Sequence, residues 1–184
     1  WILVDCGNLT QVGKPPILKS PALQLRKTID GGPRALKPGD TFTFRFEYRN
    51  PVAESQPAQN VVLHDEFDTA NFDIVSSTPA IKMIGNGRQI ALPLGNVGYT
   101  PNYQTALVVK ARLKQNLANG TKTCNAAKLS ASNAADAWSG GNTLCVTVIN
   151  PCPLDSSLSA TDARCAKPVL YCTLTNSDIN RTTK

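Results

Sequence analysis

Three polar residues occupy positions where an amphipathic chain places apolar ones. In "ALQLRKTID" (residues 22 to 30), an extended backbone sends Leu23, Leu25, Lys27 and Ile29 to one face and Gln24, Arg26 and Thr28 to the other. Lys27 therefore points where the leucines point. In "NVVLHDEF" (60 to 67), the same alternation groups Asp65 with Val61, Leu63 and Phe67 and turns His64 and Glu66 outward. In "KTCNAAKLSA" (122 to 131), Asn125 sides with Ala127, Leu129 and Ala131. An amine, a carboxyl and a carboxamide are thus aimed inward from separate segments.

Two chemistries fit that set. One is a buried Lys27–Asp65 salt bridge with Asn125 completing its hydrogen bonds, although desolvating two ions costs several kcal/mol each. The other is a covalent crosslink. Burial disfavours charge, so it lowers the pKa of a lysine and raises that of an aspartic acid until a neutral amine can sit beside a protonated carboxyl. A neutral amine is a nucleophile and an ammonium is not. Lys27 would attack the side-chain carbonyl of Asn125 while Asp65 donates a hydrogen bond to that oxygen and shuttles protons to the departing ammonia. Proximity in a dry core can supply on the order of 7 to 11 kcal/mol of the barrier, enough for a reaction that need occur only once.

The segments carrying these residues read as strands. "DTFTFRFEYRN" (40 to 50) alternates Phe42, Phe44, Phe46 and Tyr48 with Thr41, Thr43, Arg45, Glu47 and Arg49, the pattern of a half-buried strand. "RQIALPL" (88 to 94), "QTALVVKARL" (104 to 113) and "TLCVTVI" (143 to 149) alternate in the same way. Breakers separate them: "GGP" at 31 to 33, "KPGD" at 37 to 40, "GNG" at 85 to 87, "NGT" at 119 to 121 and "SGGN" at 139 to 142. Seven or eight short strands without a helical period predict an all-β, immunoglobulin-like antiparallel sandwich over residues 22 to 149. Residues 1 to 21 and 150 to 184 are expected to be linkers or remnants of neighbouring domains, with cysteines in both.

"LRKTIDGGPRALKPGDTFTFRFEYRN", "NVVLHDEFD" and "TCNAAKLS" together resemble the bacterial cell-surface repeat known as domain of unknown function 11 and its fimbrial, isopeptide-forming relatives. The resemblance covers roughly residues 22 to 149. It implies an immunoglobulin-type sandwich strung in tandem in adhesins, pilins and surface-layer-like proteins. It also implies a lysine on the first strand joined to an asparagine on a late strand, with a mid-domain acid as catalyst. Lys27, Asn125 and Asp65 match those places and that order. "DEFD" stands where the relatives carry "DtlP", which makes Glu66 a rival for the catalytic place, although its parity is outward.

Six cysteines suit an oxidising, extracellular setting better than the cytosol, and none forms a CxxC pair. Cys124 and Cys145 face outward on strands that should pair, which predicts a disulfide between them. Cys152 and Cys165 could close the tail loop, and Cys6 and Cys172 could pair if the ends meet.

The net charge of +6 is scattered singly, without the basic stripe of a nucleic-acid protein. No apolar run approaches the roughly 20 residues that span a bilayer. The absence of an initiator methionine or leader suggests a processed or excised chain. Sequons at Asn8, Asn119 and Asn180 would matter only in a glycosylating route. His64 reads as a solvated strand residue, and no metal or cofactor is expected. "SLSATDAR" reads as a capped turn in preference to a calcium loop. No constellation for turnover of an external substrate is present.

The expected protein is therefore a secreted or cell-surface structural and adhesive module, self-stapled and not an enzyme beyond that single turnover. Its partners would be neighbouring domains of the same polypeptide. The alternative is a module that holds a host-cell protein or glycan, for which Trp138, Tyr99 and Tyr103 are the best stacking candidates, with the polar residues left unlinked.

Overall fold

Alternation in the sequence becomes alternation of burial in the computed structural model, which describes residues 18–31, 35–139 and 144–149. The strands are β1 (Gln24–Ile29), β2 (Ala35–Leu36), β3 (Thr41–Asn50), β4 (Ala58–Glu66), β5 (Phe72–Thr78), β6 (Gln89–Val97), β7 (Thr100–Leu113), β8 (Lys122–Asn125), β9 (Ala127–Ser130), β10 (Ala137–Trp138) and β11 (Leu144–Val148). They form two four-stranded sheets, ordered β1-β3-β7-β5 and β10-β9-β4-β6, and a smaller one ordered β2-β11-β8. Every ladder is antiparallel except that between β2 and β11. The result is the expected all-β sandwich. No helix among the described residues is long and apolar enough to cross a membrane.

The inward faces meet in one hydrophobic core that holds all five of the chain's phenylalanines, Phe42, Phe44, Phe46, Phe67 and Phe72. Their rings pack edge to face or tilted, with centroids 5.1 to 6.4 Å apart. Such pairs add about 0.5 to 1.5 kcal/mol each beyond area burial. β1 lies against β9, β10 and β11, so its inward side chains face the other two sheets.

The structure departs from the expected strands in places that matter to the site. "KTCNAAKLSA" is not one strand. It breaks at Ala126, so that β8 belongs to the small sheet and β9 to the sheet of β4. The break does not disturb the parity: Asn125, Ala127 and Leu129 are all buried. β8 and β11 pair as expected but are not consecutive, because β9 and β10 intervene. β2, β5 and β10 add to the expected set. Cys6, Cys152, Cys165 and Cys172, sequons Asn8 and Asn180, and "SLSATDAR" lie outside the described residues. Asn119 is exposed in the turn before β8.

Candidate functional site

Each sheet contributes one residue to a buried polar cluster. Lys27 comes from β1, where it stands opposite Phe46 of β3. Asp65 comes from β4, opposite Ala127 of β9. Asn125 ends β8 at the corner where the chain changes sheets, one inward position before Ala127. Lys27 and Asp65 are 1% and 0% exposed in their side chains, and Nζ lies 2.7 Å from Oδ2 of Asp65. Asn125 is 4% exposed. The three residues picked out by parity are therefore all buried at one level of the sandwich.

The surroundings of Lys27 are aromatic. Its Nζ lies 4.4, 4.5 and 5.6 Å from the ring centroids of Phe44, Phe46 and Phe67. Ring faces attract a cation, but they also replace the water that would solvate it. Burial wins: it pushes Lys27 from the usual 10.5 down to about 8, against the opposing pull of Asp65. Burial likewise pushes the Asp65 carboxyl up, against Lys27, the backbone at Glu66 and Asn125. Both shifts narrow the gap between the ion pair and the neutral amine–carboxylic acid pair.

Hydrogen bonding at the site is incomplete. Asp65 Oδ1 and both Oδ1 and Nδ2 of Asn125 are buried without a hydrogen-bond partner among the described residues. Asn125 lies close enough to Asp65 for its side chain to favour the carboxylate as a hydrogen-bonding neighbour, although no contact of strict hydrogen-bond geometry joins the two. A buried polar group left without a partner costs about 1 to 3 kcal/mol.

Glu66 faces solvent. It pairs with Arg88 at 3.5 Å and accepts from Gln89 Nε2 at 3.3 Å, and takes no part in the buried cluster. His64 is half-buried on the outer face, 2.9 Å from Ser130 Oγ. Cys124 and Cys145 face each other across β8 and β11 and are joined as a disulfide. No group of three or more His, Cys, Asp or Glu among the described residues could hold a metal ion. Sequence reasoning missed the aromatic box around Lys27. Parity held the signal, since Phe67 shares the face of Asp65, and Phe44 and Phe46 share the inward face of their strand.

No family model matches the chain, and no curated protein matches it in sequence. Solved structures do match in fold. A variant of the major pilin subunit BcpA of Bacillus cereus is similar at 15% identity and a TM-score of 0.51, covering 69% of this chain and 40% of the pilin. The same pilin in a second structure matches at 16% identity and a TM-score of 0.47, over the same shares of the two chains. The third ScaC cohesin of Acetivibrio cellulolyticus, solved in complex with a dockerin, matches at 8% identity and a TM-score of 0.46 over 70% of this chain and 99% of the cohesin. The chain thus spans well under half of the pilin it matches. The first of these likenesses establishes a shared sandwich fold.

The stacking candidates are not equivalent. Tyr103 carries Arg26 and Arg49, whose guanidinium carbons lie 4.3 and 4.6 Å from its ring centroid, while the Trp138 ring has Lys128 Nζ at 5.7 Å. Tyr99 is exposed, and Trp138, 61% exposed, borders an open groove of about 460 Å³ beside His64, Glu66, Gln89 and Lys128.

Proposed function

We propose that this chain is a structural module of a secreted or surface-displayed bacterial protein, stapled by an amide bond between Lys27 and Asn125. The observation that carries the proposal is the orphaned, buried Asn125 carboxamide beside a desolvated Lys27–Asp65 pair. Proton transfer within the pair gives a neutral amine and a carboxylic acid. The Lys27 nitrogen attacks Cγ of Asn125, and the Asp65 hydroxyl donates to the developing oxyanion at Oδ1. Asp65 then carries the proton lost by the Lys27 nitrogen to Nδ2. The Cγ–Nδ2 bond breaks, ammonia leaves, and an amide remains.

The penalties of the unlinked site fit this outcome. Reaction removes the buried ammonium, discharges the carboxamide nitrogen and leaves a neutral carboxyl beside an amide. The resemblance to isopeptide-forming surface repeats and the pilin-like fold agree with that role. Tandem neighbours in the same polypeptide are then the natural partners.

Intact mass after full reduction tests the reading. The chain should fall short of its sequence mass by one ammonia, and Lys27→Ala or Asp65→Ala should restore the full value. A full-length mass in the unaltered protein overturns the crosslink.

A second reading, a glycan-holding module, is favoured by the exposed indole of Trp138 over a groove with polar walls. A sugar ring could stack on it while His64, Glu66 and Gln89 meet hydroxyl groups. Quenching or a shift of Trp138 fluorescence on titration with neutral oligosaccharides, lost in Trp138→Ala, would support it. Unchanged fluorescence at millimolar sugar would count against it.

A further inference from the structure

Of the three polar residues, Asn125 has the least backbone holding it in place. Lys27 lies inside β1, which is paired with β3 from Gln24 to Ile29. Asp65 lies in β4, a strand held on both sides by β9 and β6. Asn125 is the last residue of β8, a four-residue strand at the edge of the smallest sheet, whose ladder runs to β11 alone. An edge strand this short has few ladder bonds to fix its register, and a slip of one residue would turn Asn125 to the outer face.

The disulfide supplies what the ladder lacks. Cys124 stands opposite Cys145, and Asn125 stands opposite Leu144 in the next rung. Cys124 faces outward, so a covalent tie through it commits its neighbour to the inward face. We infer that the Cys124–Cys145 disulfide positions Asn125 for attack, making self-crosslinking conditional on oxidation. This inference rests on the crosslink proposed above. A disulfide-class oxidant takes two electrons and two protons from the thiols of Cys124 and Cys145 as the S–S bond forms. The amide-forming step that follows is redox-neutral and releases only ammonia. The cysteines are positioning residues and never touch the reacting atoms. In a reducing compartment the chain assembles Lys27 and Asp65, and the end of β8 is held only by its rungs to β11, the Thr123–Asp68 hydrogen bond and the start of β9, so Asn125 is placed less tightly. In an oxidising one, the register is locked and the amide forms, so the irreversible bond follows the reversible one.

The test follows ammonia loss by intact mass against time in the full chain, starting from reduced protein. Unaltered chain is compared with a Cys124→Val, Cys145→Val double variant, each with and without glutathione disulfide. Valine keeps an apolar, β-branched cross-strand pair without the covalent tie. A misplacement of about 1 Å can cost about 100-fold in rate, so reduced chain should react about 10- to 100-fold more slowly than oxidised chain. The double variant should be slow in both buffers and indifferent to the oxidant. Its rate should also keep the pH dependence of the unaltered chain, since positioning Asn125 leaves the Lys27–Asp65 pair untouched. The inference is overturned if reduced and oxidised chain react alike, if the double variant matches oxidised chain, or if its pH profile moves. A chain that never loses ammonia in either buffer overturns the crosslink as well. The reduced, unaltered chain reads the effect even if the double variant folds poorly.

Discussion

Two polar clusters join the same two stretches of chain, one built around Asp68 and the other around Asp65. Asp68 accepts hydrogen bonds from Thr123 Oγ1 at 2.8 Å and Asn71 Nδ2 at 2.7 Å, and its carbonyl takes the amide protons of Asn71 and Phe72. Asp65, three residues earlier in sequence, holds Lys27 through Oδ2 but leaves Oδ1 without a partner of strict geometry, as Asn125 leaves its carboxamide. Thr123 and Asn125 are successive inward residues of one strand, both buried. The fold can therefore satisfy a carboxylate in this region with short side chains, and does so at Asp68. The incompleteness at Asp65 and Asn125 is local, and it coincides with the groups whose charge burial opposes. Under the proposed crosslink, the group left free of competing partners is the electrophile.

The most damaging changes should be those that remove the staple, and Asn125→Ala does so while leaving Lys27 and Asp65 in place. A crosslink closing a loop of about 100 residues is worth roughly 4.7 kcal/mol in the chain-entropy model. Loss of about that amount in denaturant unfolding is expected, increased somewhat because the variant again buries Lys27 and Asp65 as an unlinked pair. Asp65→Ala should block the bond too, and should cost more because it strands the Lys27 ammonium in the core. Equal stability of Asn125→Ala and the unaltered chain would place both clusters in the structural class.

Thr123→Val addresses the other cluster and should cost about 1 to 3 kcal/mol, because Asp68 loses a donor. The ammonia loss should still go to completion. If Thr123→Val abolished the crosslink, the clusters would be one network and the contrast between them would fail.

The pH dependence separates linked from unlinked protein. In Asn125→Ala, Lys27 keeps a folded pKa of about 8, below its usual 10.5. Between those values the unfolded chain binds more protons than the folded one, so this group makes stability rise with pH across the window. Below about 8 the penalty is fully present, and above 10.5 it is gone. In the linked chain Lys27 is an amide and does not titrate, so urea titrations should show no such rise from it. The rate of linking should fall as pH climbs through about 8, because the reactive pair then loses its shared proton.

The legibility of this molecule followed the alternation of its side chains. Strands with one buried face, such as β3 and β7, were plain in the sequence, and so were Lys27, Asp65 and Asn125 as misfits within that pattern. β5 was not, because only Phe72 is fully buried in it and Ile74 and Ser77 are half-exposed, which erases the period of two. β2 and β10 are two residues each, too short to carry a period. The break at Ala126 was hidden because parity survives it. The missing hydrogen bonds of Asn125 could not be read from the sequence at all, since they depend on how three sheets meet.

The smallest expected effect belongs to Glu66→Gln, and it sharpens the assignment of the acid. Glu66 is next to Asp65 in sequence and could take its place only if β4 slipped by one residue. Such a slip would expel Val61, Leu63 and Phe67 from the core along with Asp65, and the ladders to β6 and β9 oppose it on both sides. Glu66 instead meets Arg88 at 3.5 Å, with both side chains about half exposed. An exposed pair of this kind contributes about 0 to 1 kcal/mol, so Glu66→Gln should barely move the unfolding midpoint. Ammonia loss should proceed at the unaltered rate. Linking that slows sharply in Glu66→Gln while Asp65→Asn still reacts would move the proton shuttle to the outer face and reverse the roles of the two acids.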